Sequence, residues 1–343
     1  MTTADITVRG AGIFGLSIAW ACVRRGARVQ IIDPNGAASG SSGGIVGALA
    51  PHVPEKWDVK KQFQLDSLLM ARAFWSEIED TSGTASGYAR TGRLQPILNA
   101  RGLELAKTRG QNATELWGAH ATWSVLPSSD APWGPTSPTG YLVHDTLSAR
   151  IHPRMACAAL VAALATKGIR VKTDGVDQGQ TLWATGVPGL EKMSKTYSRL
   201  IGAGEKGQAA LLQFDAPDAP QIYVDNVHII PHANGTVGIG STTERYFDAP
   251  FETDDQLDAL IERTRAALPV LADAPVLERW AGLRPRSHNR APMLGAWPDQ
   301  KRHFIANGGF KIGFGIAPKV AEVMADLMLE NRDAIPEAFG VTL

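Results

Sequence analysis

Over the first thirty positions, apolar residues fall in short runs punctuated by glycine. Ile6 to Arg9 reads as a strand that leads into a glycine-rich turn. Leu16, Ala19, Trp20 and Val23 then recur at helical spacing, and Gly26, after Arg24 and Arg25, supplies a C-terminal stop. Arg28 to Ile32 is a second apolar strand, ending at Asp33 and Pro34. This is a strand–helix–strand unit in about 30 residues, the length such a unit requires. Further on, Leu65, Leu68, Leu69, Trp75 and Ile78 give the span Lys61 to Glu79 an apolar helical face. Arg93 to Leu98 reads as a strand, and Ser124 to Pro138, rich in Pro, Ser and Trp, as a long loop. An Ala-rich helix over Met155 to Lys167 precedes strands at Ile169 to Lys172 and Thr181 to Gly186. Between Lys206 and Ser241, short runs alternate apolar and polar residues, the signature of antiparallel sheet. Leu257, Leu260, Ile261, Thr264 and Leu268 mark a helix before Pro269. A last helix follows Pro318, where the missing N–H of a first-turn proline costs nothing.

The α/β pattern at both ends brackets β-rich material. The expected fold class is therefore α/β (α+β overall), with a Rossmann-like domain interrupted by an antiparallel-sheet domain with helices. The expected division gives the first domain residues 1–75, 140–205 and 282–343, and the second 76–139 and 206–281. A length of 343 residues fits two domains at roughly 150 each.

Thirty-four basic residues balance thirty-four acidic ones, which argues against nucleic-acid or anionic-membrane binding, because such affinity begins with clustered positive charge. Apolar stretches break well before the ~18–20 residues of a membrane span, and no basic n-region precedes an apolar h-region. Two cysteines, Cys22 and Cys157, build no disulfide framework. The expectation is a cytoplasmic protein without an integral membrane segment. No histidine, cysteine or carboxylate spacing suggests a metal site.

Gly10, Gly12 and Gly15 satisfy G-x-G-x-x-G after a strand and at the opening of a helix. In this motif the first glycine permits the tight turn, the second lets a pyrophosphate approach, and the third lets helix and strand pack closely. Ala11, Ile13 and Phe14 fill the turn and place the helix N-terminus, with its partial positive charge, at the phosphates. Asp33 is positioned to accept from a ribose 2′-OH and to repel a 2′-phosphate, and Pro34 follows it.

This unit alone does not separate NAD from FAD. Three further segments favour the longer cofactor. Ser39 to Gly47, including Ser41, Ser42, Gly43 and Gly44, is small-sided enough to wrap it; Ala184, Thr185 and Gly186 reach the pyrophosphate from the far side. Gly308, Gly309, Phe310, Lys311, Ile312 and Gly313 form a strand–loop–helix turn whose N–H groups suit an isoalloxazine carbonyl.

These segments, with Trp280-Ala-Gly-Leu-Arg-Pro285 and Ala291-Pro-Met-Leu-Gly295, resemble the D-amino acid oxidase superfamily of FAD-dependent oxidoreductases, in its glycine oxidase and sarcosine oxidase branch. The resemblance runs along nearly the whole chain. It departs between Lys172 and Thr181, where the central β-meander of relatives is shortened to a few polar residues. It implies bound FAD and a small amine or amino acid as substrate. Hydride would pass from the amine Cα–H to flavin N5, giving an imine or oxo acid, with O₂ as acceptor and H₂O₂ as product. In such chemistry the protein orients and desolvates, so the residues to find are anchors.

Arg284, in Gly-Leu-Arg-Pro, aligns with the carboxylate-binding arginine of glycine oxidase-like proteins; its alternative is an interior salt bridge. Lys311 stands in the flavin-adjacent loop where relatives carry Arg or Lys, as a second carboxylate contact or a charge that assists O₂; its alternative is a solvent-facing lysine. His228 falls where glycine oxidase-like relatives place a tyrosine near substrate, with a satisfied strand histidine as the equal alternative. His52 lies where the chain returns toward the flavin, or is a loop cap. Thr242 and Thr243 replace larger apolar residues of relatives, which opens the side-chain preference beyond glycine. A quinone- or carrier-linked dehydrogenase, a non-catalytic flavin protein and a plain NAD enzyme stand as alternatives, and a homo-oligomer is compatible with the sequence.

Overall fold

The computed structural model describes residues 3–129 and 131–343. Strand Ile6–Arg9 (β1), helix Ile13–Arg24 (α1) and strand Val29–Ile32 (β2) form the expected opening unit. β1 pairs in parallel with β2, Ile6 opposite Val29, and on its other edge with Gln180–Trp183. The full sheet has six strands in the order Met293–Ala296, His303–Asn307, Gln180–Trp183, β1, β2, Val171–Lys172. Only Met293–Ala296 runs antiparallel to its neighbour. Both ends of the chain thus enter one sheet.

Its central strands are buried on both faces, which explains their near-continuous apolar sequences. The first ten residues of α1, Ile13 to Cys22, are all buried. They lie among Val59–Ser82, Pro153–Thr166 and Gly313–Glu330, whose apolar residues join α1 in a single core.

A second sheet has eight strands: Val276–Ser287, Gly202–Gln213, Thr236–Gly240, Val227–Pro231, Gln221–Val224, Arg93–Pro96, Tyr141–Asp145 and Trp123–Pro127. Helix Asp255–Ala267 covers one face, burying Leu257, Leu260 and Ile261 against Ala210, Leu212, Ile222, Ile229 and Ile239. Side chains alternate along a strand, so Ala209, Tyr223, His228, Gly240 and Trp280 point the other way, toward the nucleotide half. The two longest strands, 202–213 and 276–287, run through positions 205/206 and 281/282, where the sequence pattern divides the chain.

Four elements differ from the sequence pattern. Helix Ala100–Leu116 is absent from it because this helix buries only the small residues Ala106 and Ala113; its start is fixed instead by Asn99, whose side chain accepts the Gly102 N–H. Within the expected loop Ser124–Pro138, the first residues belong to an edge strand, Trp123–Pro127, paired to Tyr141–Asp145; Asp130 lies outside the described residues. Helix Gly186–Thr196 follows Gln180–Trp183 almost directly.

The last helix begins at Gly313 rather than after Pro318. Pro318 sits in its second turn, where it removes a bond to the residue four back, and the next N–H, of Lys319, donates to Ser67 Oγ at 3.2 Å. Residues 173–179 form no strand, so Val171–Lys172 connects directly to Gln180–Trp183. Among the described residues, no helix is long and apolar enough to cross a membrane, and no acid, histidine or cysteine cluster suits a metal ion. Cys22 and Cys157 are free and buried, and burial pushes both thiols up to about 12.

Candidate active site

A cleft of about 1650 Å³ runs between the carboxyl ends of the parallel strands and the uncovered face of the eight-stranded sheet. Ligands of open α/β sheets bind at such carboxyl ends. Small-ligand pockets span roughly 300–1,000 Å³. This cleft is larger, with room for an extended cofactor and a substrate beside it.

The glycines of the opening turn have distinct tasks. A Cβ at Gly15 would lie 1.9 Å from the Gly10 carbonyl oxygen, so only glycine lets α1 sit against β1. Gly10, at φ +106°, would meet Ala184 O at 2.3 Å, and this contact seats Ala184 beside the turn. Neither Gly10 nor Gly15 lines the cleft; Gly12, Ile13 and Phe14 do. At Gly12 an added Cβ would meet only Ser42 Oγ and Cβ. Ser42 Oγ accepts the Ile13 N–H at 3.0 Å, tying the small-residue wrap to the helix N-terminus.

Asp33 lines the cleft and is braced by the N–H groups of Ala11 (2.8 Å) and Asn35 (3.0 Å). A carboxylate held this way keeps lone pairs for ribose hydroxyls. Ser41, Ser42 and Gly44 line the wrap, whereas Pro34 and Gly43 do not; the Gly43 carbonyl accepts from Arg154, which also pairs with Glu278. Ala184, Thr185 and Gly186, together with Gly308 through Gly313, complete the lining. A Cβ on Gly309 would press to 2.9 Å from Phe14 Cζ, so the C-terminal loop closes on the N-terminal turn. A small-sided cradle, a helix N-terminus and a ribose-directed carboxylate fit an adenine dinucleotide without a 2′-phosphate.

The opposite wall carries side chains. Arg284 and Glu205 are register partners, and Gly207 lies beneath the Arg284 guanidinium, where a Cβ would come within 2.5 Å of its atoms. Arg284 Nη1 donates to Ser241 Oγ (2.6 Å), and Nη2 to the carbonyls of Thr242 (2.7 Å) and Lys206 (3.0 Å). Its Nε is buried without a partner. Among the described residues it makes no ion pair, which removes the salt-bridge alternative. Burial opposes its charge and Glu205 and Glu244 support it from a distance, yet a guanidinium stays protonated in proteins. A half-buried cation lacking a counter-ion suits an anionic ligand.

Lys311 Nζ donates to Thr243 Oγ1 at 2.8 Å, and burial, then Arg284, hold its pKa below the ordinary lysine range. Arg284 and Lys311 both lie over the Phe310 ring, at 5.9 and 5.5 Å from its centroid.

His228 lines the cleft and rests on Tyr223, ring centroids 4.7 Å apart. Burial first, then the charges of Arg93 and Lys311, push its pKa down to about 3, so the ring is neutral at physiological pH. His52 is at the cleft wall, its N–H and Nδ1 both directed to Gln64 Oε1.

The structure therefore brings Arg284, Lys311, His228 and His52 into one cleft with the nucleotide segments. It adds lining residues that local pattern did not suggest: Arg93, Gln64, Tyr223, Ser241, Trp280 and Asn307. Strand alternation marks Tyr223 and His228 as facing one way. Adding Arg93 to that face requires knowing that residues 93 and 221 pair, which local pattern does not reveal.

A mostly parallel sheet with a nucleotide-binding turn, facing a largely antiparallel sheet that presents Arg284 without a counter-ion, has the architecture of a nucleotide-dependent oxidoreductase. Residues 5–327 match the family model "DAO: FAD dependent oxidoreductase". The chain belongs to this DAO family of FAD-dependent oxidoreductases, and its cofactor is FAD.

It is 26% identical over 96% of its length to the bifunctional protein ThiO/ThiG of Nostoc sp. strain PCC 7120, of which it spans 53%. The chain thus covers about half the length of such bifunctional relatives. To the glycine oxidase of Bacillus subtilis strain 168 it is 20% identical, covering 96% of this chain and 94% of that one. Among solved structures, glycine oxidase from Geobacillus kaustophilus superposes with a TM-score of 0.85 at 19% identity, covering 99% of both chains. Iminodiacetate oxidase from Chelativorans sp. BNC1 gives 0.86 at 20% identity, covering 98% of both. The fold is that of glycine oxidase, and the relatives support the glycine oxidase-like branch.

Proposed function

We propose that this protein oxidises a small amine bearing a carboxylate, of the glycine, sarcosine or D-amino acid type, with O₂ as electron acceptor. The products are an imine, which water hydrolyses to an oxo acid plus ammonia or a primary amine, and H₂O₂. The observation that carries this reading is Arg284: a guanidinium held over Gly207 by three hydrogen bonds, without a counter-ion, in the FAD cleft. Relatives named glycine oxidase support the same class.

When bound, FAD would supply a two-electron acceptor for the amine's hydride and a route for those electrons to O₂. Gly12, Ser42, Asp33 and the Gly308–Gly313 loop would hold it. Arg284 takes the substrate carboxylate as a fork, which fixes the orientation of Cα. Lys311 adds a second positive charge, which would contact the substrate carboxylate or favour electron transfer to O₂ by stabilising the negative charge that forms on it. His228, neutral, keeps further charge away from the amine, whose free lone pair the hydride loss requires.

Mixing the purified FAD-loaded protein with glycine, sarcosine and D-alanine under anaerobic conditions tests the substrate class. Bleaching of the visible flavin band by at least one is expected; none bleaching it overturns the class. Under air, peroxide equal to amine consumed is expected. Turnover that needs an artificial acceptor and yields no peroxide would replace the oxidase with a dehydrogenase.

A further inference from the structure

The uncovered face of the eight-stranded sheet carries a second guanidinium that the reading above leaves idle. Arg93 pairs in register with Gln221 on one side and Asp145 on the other. Register partners and residues two apart share a face, so Arg93 stands with Tyr223 and His228, and it lines the cleft.

Its side chain is 7% exposed and that of Asp145 wholly buried. Yet the pair is single-pronged: Nε donates to Asp145 Oδ2 at 2.9 Å, while Asp145 is further satisfied by the Ser148 N–H (2.7 Å) and hydroxyl (3.0 Å). Among the described residues the Nη edge of the fork has no protein acceptor. A guanidinium presents five donors in a plane and can serve two carboxylates on two edges.

The charge pattern of the cleft agrees. Its acidic lining residues, Asp33 and Glu191, both belong to the nucleotide half, whereas the opposite wall presents Arg93, Arg284 and, from the C-terminal loop, Lys311. His228 feels the positive charge of both Arg93 and Lys311, which places the two cations around the same small region.

We propose that the Nη edge of Arg93 receives a second acidic group of the substrate, so that the preferred substrate is an amine carrying two carboxylates. This rests on the reading in which Arg284 takes the first carboxylate. It assigns Arg93 a role in specificity, through direct contact with the substrate end remote from Arg284.

The test compares monoacids (glycine, sarcosine, D-alanine) with diacids (iminodiacetate, D-aspartate, D-glutamate) on the FAD-loaded full chain. A diacid is expected to exceed its matched monoacid in kcat/KM by roughly ten- to hundred-fold, the worth of a charge-assisted hydrogen bond. Arg93→Lys keeps a cation beside buried Asp145 while removing the fork, and Arg93→Gln removes the charge as well. In either variant the diacid-to-monoacid ratio should fall by roughly ten-fold or more.

A binding arm needs no turnover: perturbation of the flavin spectrum by succinate or glutarate against acetate, in wild type and in Arg93→Lys. Tighter diacid binding that the variant loses supports the proposal. If monoacids and diacids bleach the flavin equally, and Arg93→Lys leaves their ratio untouched, Arg93 has no such role while the amine-oxidation reading stands. If no amine bleaches the flavin, that reading falls instead, and equal binding of succinate and acetate would overturn the Arg93 assignment as well.

Discussion

The two walls of the cleft are built on opposite plans. The nucleotide wall works by backbone and small residues: Gly10, Gly12 and Gly15 within six positions, a serine on a helix N-terminus, and one carboxylate. The facing wall works by long side chains that reach the cleft from separate strands: Arg284 from 276–287, His228 from 227–231, Arg93 from 93–96. A polyanionic, extended ligand is met by N–H groups and a helix dipole, which need close approach. The small acid proposed as substrate would be met by cations whose position depends on the whole sheet.

The contrast can be broken most severely at Gly15. Gly15→Val puts methyl groups beyond a Cβ that already lies 1.9 Å from Gly10 O, so β1 and α1 cannot join. The expected outcome is loss of flavin-bound folded protein, read as flavin absorbance per mole of chain. A variant with full flavin content would show that the turn tolerates what its geometry forbids.

Next in size is Arg284→Met. It removes a charge-assisted pair worth about 2–5 kcal/mol when buried, so kcat/KM for a carboxylate substrate should fall roughly 30- to several-thousand-fold. Flavin content should persist, because Arg284 belongs to the other wall. Loss of FAD together with activity would merge the two walls into one structural unit.

Asp33→Ala should weaken FAD by roughly ten-fold or more, the usual effect of losing a hydrogen bond to a charged group. Flavin fluorescence on dilution measures this directly. Substrate affinity of the reloaded enzyme sharpens the comparison, since it should change far less.

The smallest effect concerns pH. His228 and His232 are pushed by burial from 6.5 down to about 3 and about 4. Unfolding frees both to take protons near pH 6.5, while the folded state refuses them until far lower. Their contribution to stability is therefore complete above 6.5 and is lost progressively as pH falls toward 4 and 3. Each can steepen the decline by at most about 1.4 kcal/mol per pH unit. His232→Gln should flatten the Tm-against-pH curve between pH 6 and 4; an unchanged slope would show that His232 titrates normally.

Legibility in the sequence follows the same divide. The G-x-G-x-x-G unit could be read because its function depends on residues close in sequence, and its strands, buried on both faces, carry unbroken apolar runs. The resemblance supplied Arg284, which periodicity alone would have left as an ordinary strand residue. What stayed hidden was non-local. Arg93 meets Asp145 across a strand pair separated by the helix Ala100–Leu116. That helix was itself invisible, because it buries alanines rather than a leucine stripe. The start of the last helix was displaced by Pro318, which reads as a helix opening but is tolerated one turn further in, where Ser67 Oγ takes the next N–H.

Arg284, poised over Gly207, is proposed to take a carboxylate beside the FAD. Titrating the isolated flavoprotein with a non-oxidisable carboxylate, while following the visible flavin band, tests this most directly. A saturable spectral change is expected in the wild type, and Arg284→Met should abolish it while its flavin remains bound. A wild-type spectrum that does not respond, or an equal response in both proteins, would contradict it.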